Sequence, residues 1–409
     1  MRIDAITLKN IGPFDELQIE LPEGSDPDLA DVYLLTGPNG CGKTTLLYAI
    51  AAVIGNDPRM LAPRVRNVVS GGAEAAIVAA GQRYSINFQT HNATVPGFPL
   101  PSGWGLTSWA ALAYAGTRNV DRGDVSALAI PSSNPLESAL SFHDTTNTKL
   151  LSQWIATQEF LRLKAKDTER HERAEQIAHS VRVIEKTVGE IVEAPDFAFM
   201  SGTDSDLDVR VRLHGAILDM DVLPDGIKSI MSWIADLFMR LDRVPWVDDI
   251  PTRQRSFLLL LDEIDIHLHP AWQRQVIPVV QKLFPKAQII ASTHSPFVVG
   301  SADDAHVITF AVKNGVSVLE SSKSSQVGVS YSTVARDIFG IKSEFDVDTE
   351  RMLARFHAAK TSLLEGTTTD RTIVDDLAQR LADRGEELSS IIGLEIRQLD
   401  RRLKKQTVG

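Results

Sequence analysis

A lysine and a threonine placed after spaced glycines can hold a phosphate chain. The segment Gly37-Pro38-Asn39-Gly40-Cys41-Gly42-Lys43-Thr44, followed by Thr45, has that composition and the GxxxxGKT spacing. It stands between a short apolar run and a helical pattern, the context that makes such a motif a phosphate loop. The glycines let backbone N–H groups turn toward phosphate oxygens at a helix N-terminus. Lys43 is expected to reach the β and γ phosphates, and Thr44 to ligate Mg²⁺ through its hydroxyl. Cys41 reads as a small residue tolerated at a variable position rather than a redox centre.

Two further groups can act on the same phosphates. Residues 257–261 are Phe-Leu-Leu-Leu-Leu, a pattern for a strand buried on both faces, and Asp262-Glu263 follow at its end. Asp262 is placed to serve Mg²⁺, and Glu263 to polarise an attacking water as general base. Residues 287–292 form a second such strand, ending in Thr293-His294-Ser295-Pro296. An exposed histidine there can hydrogen-bond a γ-phosphate and respond to its loss. Further along, Leu223-Pro224-Asp225-Gly226-Ile227-Lys228 opens an amphipathic helix whose N-terminus has anion-binding geometry.

The elements that must position these groups follow from periodicity. Strands are expected at residues 2–9, 17–21 and 32–35, then a helix through Leu46, Leu47, Ile50 and Ile54 that stops at Gly55. Residues 75–80 and 84–88 read as a hairpin, and 92–135, rich in Gly, Pro, Ser and Thr, as long loops. Residues 150–192 read as one or two charged helices, followed by strands near 196–200, 207–213 and 216–220. A helix from Gly226, another at Pro270–Leu283 and a hairpin across Asn314-Gly315 come next, and everything from Thr333 reads helical, with breaks near residues 366–369 and at Gly385.

The chain has 409 residues, 43% apolar and 23% charged, with a net charge of −11. These values fit a globular protein and exclude collagen-like, disordered and disulfide-scaffold classes. No apolar run approaches the roughly 20 residues of a membrane span, so no membrane contact is expected. The N-terminus lacks a signal-peptide pattern and the single cysteine cannot pair internally, so a cytoplasmic location is expected. The acidic balance disfavours a chain that coats nucleic acid by itself.

More than two hundred residues separate Lys43 from Asp262. That wide gap, filled by a hairpin and a helical lobe, resembles the ABC-class ATPases of the Rad50, SMC, RecF and OLD-like branch. The opening Ile6-Thr-Leu-Lys-Asn-Ile-Gly-Pro-Phe14, the segment DEIDIHLHP from Asp262 to Pro270, and STHSP from Ser292 are similar to the OLD-like and AAA15/AAA21-type members. The resemblance covers residues 1 to about 310. It implies an α/β ATPase head with a mixed parallel sheet, an antiparallel β subdomain, a helical lobe (insert about 150–194) and a C-terminal helical region. The implied division is 1–322 for the head and 323–409 for partner docking. It also implies ATP and Mg²⁺ as ligands, and a signature element at Asp225, Gly226 and Lys228 that acts on ATP held by a second copy. Pro224 replaces the serine usual there, which puts the hydrolysis rate in question. For the glutamine of the lid, Gln89 and Gln153 are candidates, and Arg118 could reach phosphate.

OLD-type nucleases continue into a Toprim domain. Asp346-Val347-Asp348 has a metal-like spacing but precedes a helix, where Asp348 reads as an N-cap. The chain is therefore expected to lack a nuclease of its own. It then resembles the ATPase subunits of two-gene anti-phage systems, the Septu family foremost and the PARIS family second. The implied assembly is a homodimer or higher homo-oligomer that controls a separate nuclease, of HNH type first and Toprim type second, with nucleic acid reached through the complex. The apolar residues Leu377, Leu381, Leu388, Ile391, Ile392, Leu399 and Leu403 are candidates for docking that nuclease, and the basic tail of Arg397, Arg401, Arg402, Lys404 and Lys405 for a further contact. A RecF-like DNA-repair ATPase and a nucleotide-locked scaffold are the alternatives.

Overall fold

In a computed structural model, all residues are described except 67–71, 90–91, 95–105, 117–132, 143–147, 202–207, 326–327, 342, 344, 368–369 and 409. The chain divides into two compact units, Met1–Phe339 and Gly340–Gly409.

The first unit holds strands β1 (Ile3–Ile11), β2 (Phe14–Glu20), β3 (Asp31–Thr36), β4 (Ala73–Ala79), β5 (Gln82–Gln89), β6 (Asn92–Thr94) and β7 (Ala110–Tyr114). These are followed by β8 (Ala198–Ser201), β9 (Val209–Leu213), β10 (Ala216–Asp219), β11 (Phe257–Leu261), β12 (Gln288–Ser292), β13 (Ala305–Lys313) and β14 (Val316–Ser324). Its helices are α1 (Lys43–Gly55), α2 (Thr148–Asp167), α3 (His171–Ile191), α4 (Asp225–Arg243), α5 (Pro270–Leu283), α6 (Pro296–Ser301) and α7 (Tyr331–Asp337).

The site is built on a six-stranded sheet of order β14-β13-β3-β12-β11-β7, parallel except for β14. All five residues of β7, β11 and β12 are buried, as parallel strands covered on both faces require. Because side chains alternate along a strand, each strand feeds two cores. Leu259, Leu261, Ile289 and Leu34 face the helical lobe with α4 and α5, whereas Leu258, Leu260, Ile290 and Leu35 face α1 and the antiparallel sheet β2-β1-β4-β5-β6. Helix α1 lies in that second core and is buried on nearly every side, which explains its continuous apolar run.

Strand β7 lies in the stretch expected to be loops. Its short, alanine-rich run carries little strand signal, and only pairing with β11 makes it a strand. The stop of α1 is also moved: Asn56, with φ 51°, is the left-handed cap rather than Gly55. At the second hairpin Asn314 and Gly315 both have positive φ, as a type I′ turn requires.

The head extends beyond residue 322. Strand β14 runs to Ser324, and α7 is held to α6 by the Phe297–Tyr331 ring pair, 4.9 Å between centroids. The second unit contains α8 (Val347–Leu364), α9 (Thr372–Ala382) and α10 (Glu386–Val408). Leu377, Leu381, Leu388, Ile392 and Leu399, expected as docking residues, are buried there against Phe356 and Leu353, so the stripes close this unit's own core. The N-cap of α8 is Asp346, not Asp348: its carboxylate accepts the N–H groups of Asp348 and Thr349. Among the described residues no helix is long and apolar enough to cross a membrane.

Candidate functional site

Parallel register brings the ends of β3, β12, β11 and β7 side by side: Ser292 pairs with Leu35, Leu261 with Ala291, and Leu261 with Tyr114. The phosphate loop leaves β3 and enters α1. Glycine is obligatory at Gly37 (φ 138°) and Gly42 (φ 96°), because a Cβ would fall 2.6 Å from the Phe310 carbonyl oxygen at the first and 2.5 Å from the Phe14 ring at the second. Gly42 is the N-cap of α1 and brings no side-chain acceptor to its first turn. Pro38, Asn39 and Gly40 are exposed at the loop tip, and Cys41 is buried beneath it. The Lys43 ammonium donates to the carbonyls of Gly37 (3.0 Å) and Pro38 (3.2 Å) and lies 3.7 Å from Cys41 Sγ. Thr45 instead packs against the β1–β2 turn, so that a Cβ on Gly12 would meet its methyl at 2.7 Å.

Asp262 is the hub. Its Oδ1 accepts from the Thr44 hydroxyl (3.1 Å) and the Ser292 hydroxyl (2.5 Å), and its N–H donates to the Tyr114 carbonyl (2.9 Å). Ser292 Oγ in turn accepts the Glu263 N–H at 2.7 Å. Glu263 adopts φ 47°, a left-handed conformation that a non-glycine residue keeps only when its surroundings hold it. Gly116 permits this, since a Cβ there would stand 2.7 Å from the Glu263 Cβ. Ser292 and Tyr114 were not singled out from sequence; only their strand-end positions could have marked them.

His294 is exposed at the end of β12, and its main-chain N–H donates to Asp265 Oδ1 at 3.2 Å. Although the residue is exposed at the surface, the inner part of its ring is covered, and that partial burial first, and the Lys43 charge second, push its imidazole below the ordinary 6.5, against Asp265, Glu263 and Asp262, which pull the other way. At neutral pH it is an uncharged ring that can donate one hydrogen bond.

Asp225, Gly226 and Lys228 open α4. Pro224 is the N-cap, and its carbonyl accepts from Ile227 N (2.9 Å) and Lys228 N (3.0 Å). Lys228 pairs with Asp225 at 3.6 Å. Gly226 is buried against the segment after Glu263: a Cβ would meet the His267 carbonyl oxygen at 2.6 Å and the Trp272 ring at 3.0 Å. Within one chain these residues therefore touch the loop that follows the acidic pair. Gln153 is half-buried on α2, the side chain of Gln89 and all of Arg118 lie outside the described residues, and so do the side chains of Lys404 and Lys405.

One carboxylate with hydroxyl neighbours is a donor set suited to Mg²⁺, which keeps waters and takes its other ligands from phosphates. Thr44 and Asp262 would hold it. Among the described residues no cluster of three or more His, Cys, Asp or Glu side chains forms an all-protein metal cage.

Comparison with known proteins is consistent with this geometry. Residues 32–300 match the family described as "AAA domain, putative AbiEii toxin, Type IV TA system", and residues 1–55 match a second AAA domain family. The chain belongs to the first of these families. It is an ATPase of the AAA/ABC P-loop kind, with nucleotide binding as the property the family carries. Among relatives of this ATPase, "Septu protein PtuA" of Bacillus thuringiensis is 23% identical over 325 residues, 77% of each chain. "Retron Ec83 probable ATPase" of Escherichia coli is 34% identical over 121 residues, 30% of this chain and only 22% of that protein. Of solved structures, an SMC head bound to the C-terminal winged-helix domain of ScpA is similar over 79% of this chain and 98% of that one, at 14% identity and a TM-score of 0.47.

Proposed function

We propose that the chain is the ATP-binding and ATP-hydrolysing regulatory subunit of an anti-phage defence complex, dimerising through composite ATP sites and controlling a separate nuclease. The observation that carries the ATPase half is the convergence of Thr44, Ser292 and Glu263 N–H around Asp262, with Lys43 and His294 beside it. The similarity to PtuA along most of both chains supports the defence half.

In this reading the loop N–H groups and Lys43 bind the β and γ phosphates of ATP. Thr44 and Asp262 would hold Mg²⁺, whose charge would offset that of the phosphates. Glu263 orients a water and takes its proton as the water attacks the γ phosphorus; ADP leaves with the bridging oxygen. Neutral His294 donates to the γ-phosphate. A second copy supplies Gly226 and Lys228 from its own α4, completing the site. Pro224, which offers no hydroxyl where a serine would, favours slow turnover and keeps the nucleotide-locked scaffold as a second reading. With the head running past residue 322, the docking region for the nuclease, HNH type first and Toprim type second, narrows to the helical unit Gly340–Gly409, where Ile373 and Leu394 are exposed while the leucines of the stripes are buried.

The test is steady-state phosphate release together with co-purification of the neighbouring gene's product. Wild type is expected to release phosphate, Lys43→Ala to lose ATP binding, and Glu263→Gln to bind ATP without turnover. Absence of turnover in wild type would favour the scaffold, and absence of a nuclease partner would remove the defence assignment. ATP-dependent DNA binding by the isolated chain, weakening steeply with salt, would instead favour the RecF-like alternative.

A further inference from the structure

Behind His294 lies a closed hydrogen-bond circuit that the proposed chemistry does not use. The Asp265 carboxylate accepts the Thr293 hydroxyl at 2.6 Å and the His294 N–H at 3.2 Å. Ser295 N donates back to Thr293 Oγ1 at 3.0 Å, and Ser295 Oγ donates to Gln273 Oε1 at 2.6 Å. Gln273, in the first turn of α5, closes the ring by donating from Nε2 to the carbonyls of Asp265 (3.2 Å) and Leu268 (2.9 Å). The loop so held begins at Glu263 and ends where the His267 carbonyl abuts Gly226.

We infer that Asp265 and Gln273 are positioning residues for His294. They clasp the loop after the acidic pair onto residues 293–295, so that Glu263 and His294 keep one spacing across the γ-phosphate site. Neither residue touches substrate. Each acts through geometry: a carboxylate fixes the main chain at His294, and an amide fixes the loop carbonyls. Since the same loop packs on Gly226, the clasp also sets the first turn of α4 that a second copy would meet. The charge on Asp265 is not the operative feature, because what Thr293 and His294 require is an acceptor oxygen. This inference rests on the proposed ATPase reading.

The test compares kcat and KM for ATP in the full chain. Asp265→Ala and Thr293→Val are expected to lower kcat about 10- to 100-fold with KM held within about twofold, the effect of a small misplacement of catalytic groups. Asp265→Asn and Thr293→Ser keep the acceptor and the donor, and are expected to recover to within about threefold of wild type. Combining Asp265→Ala with His294→Ala should cost no more than the worse single change, as residues acting as one unit do. If Asp265→Ala does not fold, the Thr293 pair carries the same comparison. Unchanged kcat in Asp265→Ala or Thr293→Val, a loss confined to KM, or no recovery in the conservative variants would overturn the inference. If those results appear while Glu263→Gln still abolishes turnover, only this inference fails. If wild type has no turnover, the ATPase reading fails and this inference with it.

Discussion

At the scale of single residues, Asp262 is fixed by hydrogen bonds and His294 by its electrostatic surroundings. Asp262 is buried and accepts hydrogen bonds from the Thr44 and Ser292 hydroxyls, which fix where its carboxyl group points. His294 is kept neutral by burial and by Lys43. A pKa depressed below 6.5 means the unfolded chain takes up the proton first as pH falls, so the contribution to stability is intact above 6.5 and is lost as pH falls through the folded value. His294→Asn should accordingly lessen the loss of stability that chemical denaturation shows in wild type as pH falls below 6.5; an undiminished loss would contradict this origin. The motif residues were legible because phosphate chemistry demands particular types at fixed spacing. Ser292 was not, since a serine ending a strand has no spacing rule and acquires its role only by lying beside Asp262.

At the scale of elements, β7 and α4 are joined by a buried polar group. Tyr114 Oη donates to Asp236 Oδ2 at 2.8 Å, and Arg240 donates to the same oxygen at 2.7 Å and to the carbonyls of Pro135 (2.6 Å) and Glu137 (2.9 Å). Burial pushes the Asp236 carboxyl up, and Arg240 opposes that shift. Arg240→Met should destabilise the chain by about 3–5 kcal/mol in chemical denaturation, because an uncompensated buried carboxylate remains; a change under about 1 kcal/mol would show that the pair contributes little. Glu185 on α3 accepts the Phe199 N–H at 2.8 Å from β8, and burial raises its pKa above 4.5. Its protonated form is favoured in the fold, so stability is lost as pH rises through the folded value. Glu185→Gln keeps the acceptor and should raise the melting temperature at neutral pH, with the gain vanishing near pH 4.5. An equal gain at both pH values would refute this origin. Helical stripes such as α4 and buried strands such as β11 were legible from periodicity. Strand β7 was not, because its alanines encode neither period.

At the scale of the whole molecule, the head and the helical unit Gly340–Gly409 have separate cores. Leu381→Asp, which places a charge in the second core, should abolish the helical unit's protection in hydrogen exchange and leave ATP affinity within about twofold of wild type. Loss of ATP binding in that variant would show that the units fold as one. In the proposed dimer, ATP should double the mass of Glu263→Gln in light scattering, and Gly226→Val should abolish that doubling.

The sequence by itself determined the spacing of the phosphate loop and the strand ends and helix starts at which Lys43, Asp262, His294 and Gly226 stand, since local spacing and apolar periodicity are properties of neighbours along the chain. Tertiary structure decided what no spacing records: that parallel register sets Ser292 beside Asp262, that Gly226 is pressed against His267, and that the C-terminal leucines are consumed in their own core. Those facts depend on which surfaces are buried against each other, and burial is decided only when the whole chain packs.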